Sequence, residues 1–304
     1  MTPSPAAVLA DDRTLASDHA AVDAALAELC RTELHGIAPR VAEAIRYSLS
    51  GGGKRLRASL VCSAYRAADG TGDASGLAAA VEVVHAYSLV HDDLPCMDDD
   101  DMRRGRPAVH RVYGVAAATA AGLAMVPLAA YTAQRSAAAL GLPAVECGSV
   151  VRELMHAAGA SGMIGGQQLD LDAEGRTLPL PELERVHRLK TGALIAASAR
   201  LGGMAARAPE RALDALTRYG AAIGHAFQIA DDVLDVTATS DELGKTAGRD
   251  KLLQKSTYPS LLGVDGAVDR ARRLVEEACG ALDSAGLLTP HLERLARFSI
   301  TRRS

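Results

Sequence analysis

Two groups of aspartates stand far apart in this chain: Asp92–Asp93–Leu94–Pro95–Cys96–Met97–Asp98 and Asp231–Asp232–Val233–Leu234–Asp235. Asp99, Asp100 and Asp101 extend the first. Carboxylates at this density repel one another, and Arg103, Arg104 and Arg106 can neutralise only part of that charge. Hard oxygen ligands in such numbers suit Mg²⁺, which keeps several waters and commonly bridges a few carboxylates to a substrate phosphate. Each group alone is also compatible with a solvated acidic surface. That alternative is weaker for the second group, which Phe227, Ile229, Ala230, Val233, Leu234 and Val236 surround with apolar side chains. Neither group has the alternating acids, central glycine and terminal glutamate of an EF-hand loop.

Basic residues accompany the acids. Gly51–Gly52–Gly53–Lys54–Arg55–Leu56–Arg57 lacks the earlier glycine and the Ser/Thr of a Walker A loop. A glycine turn that opens a helix carrying Lys54 and Arg57 on one face can still hold a diphosphate through charge and helix-end amides. His85 precedes Asp92 by two helical turns, so the two share a face about 10 Å apart, a separation that fits two neighbouring phosphate sites. Lys190–Thr191–Gly192, Gln228, Lys245 and Lys255–Ser256 are further candidates; Lys245 and Lys255 fall in a polar stretch suited to a closing loop.

These residues must be positioned by helices. Alanine is frequent, alternation of the strand type is scarce, and the class expected is all-α. Breakers at Ser50–Gly53, Ala68–Gly76, Gly141–Pro143, Ala173–Pro181 and Ala208–Pro209 divide the chain into ten or more helices of one bundle. Residues 79–93 form a mostly buried helix whose last turn delivers Asp92 and Asp93, where the helix dipole adds to the negative charge. On a helix Asp231 and Asp235 project from one face, with Asp232 beside them. Pro181 opens another helix, carried on by Val186, Leu189, Leu194 and Ile195.

The 304 residues read as one domain, since no stretch resembles a linker. A net charge of −4 offers no global field for nucleic acid, so the charge that matters is local. Five widely spaced cysteines without a C-x-x-C pair read as reduced core thiols of a cytoplasmic protein. The opening residues lack the basic leader of a signal peptide. Residues 112–134 carry no charge, but Ala, Gly and Thr dominate them and Pro127 interrupts them, so a closely packed interior helix pair is expected and no membrane span.

Together these motifs resemble those of the short-chain trans-isoprenyl diphosphate synthases over nearly the whole chain. The resemblance rests on Gly52 to Arg57, Asp92–Asp93–x₄–Asp98, Arg103–Arg104, Gly165–Gly166–Gln167–x₂–Asp170, Lys190–Thr191, Phe227–Gln228, Asp231–Asp232–x₂–Asp235 and Lys255–Ser256–Thr257. Ala58 departs from it where many relatives carry proline. It implies a large all-α bundle around a deep central cavity, the isoprenoid synthase fold, with the acidic motifs facing each other across the mouth. It also implies a homodimer. About three Mg²⁺ ions held by Asp92, Asp93, Asp98, Asp231, Asp232 and Asp235 are implied on an allylic diphosphate, with Arg103, Lys190, Lys245 and Lys255 contacting that diphosphate. Lys54, Arg57, His85 and Arg104 are implied for isopentenyl diphosphate, and Thr191, Gln228 and carbonyls near Lys190 for stabilising a carbocation.

By the same resemblance, the residues just before the first motif set the length of the product. Tyr87, one of nine aromatic side chains, together with the four-residue spacer, resembles bacterial farnesyl diphosphate synthases. Ser88 is small enough to leave geranylgeranyl diphosphate as the alternative. A terpene cyclase would need only one such acidic motif, and a catalytically silent partner subunit would be expected to have lost acids that are present here.

Overall fold

The computed structural model describes residues 13–237 and 255–301. Lys245 lies outside the described residues. The expected all-α class is observed. The helices are α1 (Arg13–Thr32), α2 (Pro39–Leu49), α3 (Leu56–Ala67), α4 (Ser75–Asp92), α5 (Val109–Tyr113), α6 (Val115–Ala139) and α7 (Ala144–Ala158). They continue with α8 (Met163–Asp172), α9 (Leu180–His187), α10 (Ala193–Ala205), α11 (Glu210–Thr237), α12 (Tyr258–Asp283) and α13 (Pro290–Thr301). Helix breaks overlap the five Gly- and Pro-rich stretches, and others fall at residues 33–38, 93–108, 159–162 and 284–289.

Two buried clusters form the interior. One gathers α1, α2, α4, α6 and α7, and the other α9, α11, α12 and α13. Helices α3 and α10 serve both: Val61 and Tyr65 face the first cluster while Leu60 and Ala64 face the second, and Leu201 and Ile195 divide in the same way on α10. A helix with apolar residues on opposite faces belongs between two layers. Small residues let these two helices approach closely; a Cβ at Gly202 would lie 2.4 Å from the carbonyl oxygen of Val61.

Residues 112–134 correct one expectation. Instead of an interior helix pair, α6 runs unbroken through Pro127 and packs on α4. Among the described residues it is the one helix long and apolar enough to cross a membrane, and only 33% of its most apolar window is buried. Leu123, Pro127 and Tyr131, four residues apart in turn, form an exposed stripe along it. The cysteines differ from expectation too: Cys62 and Cys147 are buried, but Cys96 is exposed on the first acidic loop.

Three local departures from plain helix matter for the site. Between α9 and α10 the helix widens into a π-turn, Arg188–Gly192, a feature that recurs at functional sites. A two-stranded hairpin, β1 (Met102–Arg103) and β2 (Arg106–Pro107), is closed by Arg104 and Gly105 at φ 53° and 72°, the paired positive values of a type I′ turn. Ahead of α3, Arg55 takes a left-handed φ of 47° and buries its guanidinium, which donates to Glu82 of α4 at 3.0 Å and to Asp23 of α1 at 3.0 Å. Glu82 also accepts from the amide of Ala58 at 3.3 Å, so one buried carboxylate fixes both the glycine turn and the start of α3.

A candidate active site between two acidic helices

Helix α4 is largely apolar, and His85, Ser88, His91 and Asp92 fall in its second half. It stops at Asp92, and Asp93 caps it. The chain then turns back, with the amide of Asp98 donating to the Asp92 carbonyl at 2.8 Å. Asp92, Asp98 and Asp100 thereby reach one wall of a cavity of about 360 Å³. Opposite, Asp231, Asp232 and Asp235 of α11 line the same cavity, with Gln228 one turn earlier. The two motifs are thus brought to one cavity by packing, the arrangement that the family resemblance implies.

Helix α8 and the π-turn supply a third wall. A Cβ at Gly166 would fall 2.1 Å from the backbone nitrogen of Lys190, so only glycine lets α8 lie directly against the π-turn. Widening the turn delivers Lys190 and Thr191 to the cavity. The Lys190 ammonium donates to Asp170 at 2.7 Å, and Lys255 donates to the same oxygen at 3.0 Å. Burial alone would raise the Asp170 carboxyl, but the two lysines hold it down at about 2. Burial opposes charge on Lys190 as well, yet Asp170 and Asp92 push its ammonium above the usual lysine value.

A chain of hydrogen bonds ties α11 to this wall. Thr191 donates to Gln228 Oε1 at 2.9 Å, Gln228 Nε2 donates to Asp232 Oδ1 at 3.1 Å, and the amide of Tyr258 donates to Asp232 Oδ2 at 3.0 Å. Asp232 is buried, and both its oxygens are engaged. Asp93 is similarly occupied. Buried to 2% exposure, it accepts from Arg103 Nε at 2.9 Å and lies away from the cavity lining. Asp92 is the cavity-lining member of that pair, half-buried, and burial, only partly offset by Lys190, raises its carboxyl to about 6.

Arginines and a histidine complete the near end. Arg57 and His85 line the cavity, and the hairpin turn aims Arg104 at His85 Nε2, 3.1 Å away. Arg57 approaches the same nitrogen at 3.5 Å. A guanidinium only donates, so Nε2 is the unprotonated acceptor. Burial, then Arg57 and Arg104, push the imidazole well below its ordinary value. Arg104 also donates to the carbonyl of Gly52, which pins the glycine turn to the hairpin.

Not every residue named from sequence converges. Lys54 precedes α3 instead of sharing its face with Arg57; it is exposed, stands 6.0 Å from the Phe298 ring and is absent from the cavity lining. Ser88 lines the cavity, whereas Tyr87 sits behind it, buried and edge-on to His91 at 5.2 Å. Sequence reasoning gave no part to the Arg55–Glu82 pair or to His187, named Asp100 only as an extension of the first acidic group, and treated Asp170 only as part of a motif. A charged residue inside the apolar run 79–90 was the available signal for Glu82.

The lining holds seven carboxylates, Asp92, Asp98, Asp100, Asp170, Asp231, Asp232 and Asp235, against four cations, Arg57, Arg103, Lys190 and Lys255. Among the described residues no three His, Cys, Asp or Glu side chains converge on one point as a closed metal cage. That fits a hard cation completed by water and phosphate oxygens, with one or two carboxylates per ion. Asp92, Asp98, Asp231 and Asp235 are the carboxylates disposed to serve it.

The fold and this site define a family. A family model described as polyprenyl synthetase matches residues 38–285, and the chain belongs to that family. It is 46% identical over 267 residues to a protein named farnesyl diphosphate synthase from Escherichia coli K12, covering 86% of this chain and 89% of the relative. A geranylgeranyl diphosphate synthase from Cyanophora paradoxa is 43% identical over 239 residues, covering 78% and 79%. Among solved structures, a geranyltransferase from Helicobacter pylori complexed with magnesium and isoprenyl diphosphate superposes with a TM-score of 0.78 at 30% identity, covering 94% of this chain and 96% of that one. The fold is the isoprenoid synthase fold of these relatives.

His187, also in the cavity wall, packs its ring 5.5 Å from that of Tyr258. Burial, the largest effect, lowers it from 6.5 to about 3. A group depressed in the folded state stabilises above its unfolded value and loses that contribution as pH falls, here between 6.5 and about 3. His187→Phe should therefore flatten the acid limb of a thermal-midpoint profile across that window. An unchanged limb would show that His187 does not govern it.

Proposed function

We infer that this chain is a prenyltransferase that joins isopentenyl diphosphate to dimethylallyl and then geranyl diphosphate, giving farnesyl diphosphate and releasing diphosphate. The observation that carries this reading is that both acidic motifs share one cavity with Arg57, Arg103, Lys190 and Lys255. The name of the Escherichia coli relative supports the farnesyl product over the geranylgeranyl alternative. We take the whole chain as a single polyprenyl synthase domain.

In this reading Arg103, Lys190 and Lys255, with Lys245 from outside the described residues, hold the allylic diphosphate. Arg57, His85 and Arg104 hold isopentenyl diphosphate; Lys54 joins them by family resemblance alone. The lining carries an excess of three negative charges, and a fully ionised organic diphosphate brings about three more. About three divalent cations would balance the sum, which is the physical argument for Mg²⁺ here. Bound by Asp92 and Asp98 on one side and Asp231 and Asp235 on the other, Mg²⁺ would neutralise the charge that grows on the departing diphosphate. Asp93 and Asp232, named beside them as ligands, act in this reading by fixing Arg103 and Gln228.

The residues then govern one substitution. Arg103, Lys190 and Lys255 draw the diphosphate away, so the allylic C–O bond breaks with its electron pair on oxygen. Thr191 and Gln228, locked to each other, face the cationic carbon. The double bond of isopentenyl diphosphate, oriented by Arg57 and His85, supplies the electrons of the new C–C bond. The proton then lost from its adjacent carbon passes to the released diphosphate, so no strong protein base is needed.

Two finer features are proposed with it. Tyr87, behind Ser88, acts as the floor that stops the growing chain. The exposed stripe of Leu123, Pro127 and Tyr131 on α6 is the face of a homodimer. A cytoplasmic location is consistent with free cysteines throughout.

Asp92→Ala and Asp231→Ala should each lower Mg²⁺-dependent condensation by at least about 100-fold in a labelled isopentenyl transfer assay, with circular dichroism unchanged. Full turnover by either variant would contradict the reading. Tyr87→Ala should shift the products toward longer chains in mass spectra of the extracted lipids; identical chain lengths would make Tyr87 structural only. Sedimentation equilibrium should return twice the chain mass, and Leu123→Glu should return the monomer. A wild-type monomer would remove the dimer proposal.

A further inference from the structure

Gln167 is buried in the cavity wall, yet neither of its amide atoms has a hydrogen-bond partner among the described residues. Buried amides are nearly always paired, because leaving one dry costs free energy. An unpaired one in a binding cavity points to a partner that arrives with the ligand. Its surroundings indicate which part of the ligand that is.

Met163, Gln167 and Asp170 follow one another along the face of α8 that lines the cavity. At 1.5 Å per residue Gln167 lies about 4.5 Å inside Asp170, and Met163 about 6 Å deeper. Asp170 marks the charged end, where Lys190 and Lys255 meet. Met163 marks the apolar end. The same step occurs on α11, where Gln228 lies one turn inside Asp231 and Asp232. An allylic diphosphate anchored at the lysines would therefore bring its first carbons level with Gln167.

Other uncharged polar groups at that level are already engaged. Thr191 donates to Gln228 Oε1, and Gln228 Nε2 donates to Asp232. The amide oxygen of Gln167 remains available. The diphosphate oxygens have cationic donors above, so the amide is not needed there, and its carbonyl dipole is the end that a carbocation attracts.

We propose that Gln167 is a catalytic residue whose amide oxygen faces the allylic carbon and stabilises positive charge as the C–O bond breaks. This rests on the prenyltransferase reading. Gln228 and Thr191, being locked together, would define the opposite side of the same cation. The chemical class that Gln167 recognises is thus a delocalised allylic cation, not a phosphate.

The test compares wild type with Gln167→Met, which keeps the volume and removes the dipole. Expected is a kcat about 10- to 100-fold lower, with the Michaelis constants for both substrates within about twofold. The affinity for geranyl thiolodiphosphate, which binds without ionising, should be unchanged. The thermal midpoint should not fall, since a dry amide has been removed. If the methionine variant melts below wild type, Gln167→Leu replaces it in the same measurements. A folded apolar variant with wild-type kcat overturns the proposal, as does a loss that lies wholly in the Michaelis constants. A wild-type protein that performs no condensation overturns the prenyltransferase reading instead.

Discussion

Seven carboxylates and four cations line one cavity, and the rest of the structure is arranged around that imbalance. Like charges in a partly desolvated space repel strongly, and the helix C-terminus at Asp92 adds to the field. The protein meets this in two ways. Some acids are neutralised internally: Asp93 by Arg103, Asp170 by two lysines, and Glu82 outside the cavity by Arg55. Asp92 responds in the second way, by holding its proton more tightly: burial, only partly offset by Lys190, raises its carboxyl to about 6.

That division of labour explains the irregular backbone. Residues 188–192 form a π-turn, from which Lys190 meets Asp170 and Thr191 meets Gln228. Gly166 allows α8 to rest on that turn, so one position without a side chain sets the spacing of the third wall. The hairpin plays the same part at the other end. Its turn sends Arg103 inward to Asp93 and Arg104 toward His85 and Gly52. Widely separated segments are in this way drawn onto one cavity by charge pairs of limited flexibility.

Much of this was legible in the sequence because it follows from spacing. The end of α4 at Asp92, the shared face of Asp231 and Asp235, and the helix breaks at glycine and proline are periodicity arguments, and the structure agrees with each. What escaped was tertiary. Nothing local tells that Arg55 turns inward to Glu82 while Lys54 turns outward, since one left-handed residue decides it. Nor does local pattern separate Asp92 from Asp93, or Asp231 from Asp232: Arg103 engages Asp93 away from the cavity lining and the amide of Tyr258 engages Asp232, contacts made by residues outside either motif. The small residues of α6 suggested an interior pair, whereas one unbroken helix packs on α4 and leaves Leu123, Pro127 and Tyr131 exposed.

The excess negative charge of this cavity should make diphosphate binding depend on divalent cations. Calorimetric titration of the protein with geranyl thiolodiphosphate, in Mg²⁺ and again in EDTA, tests it without requiring turnover. Binding should be saturable in Mg²⁺ and at least about 100-fold weaker in EDTA. Equal affinity in the two buffers would contradict it.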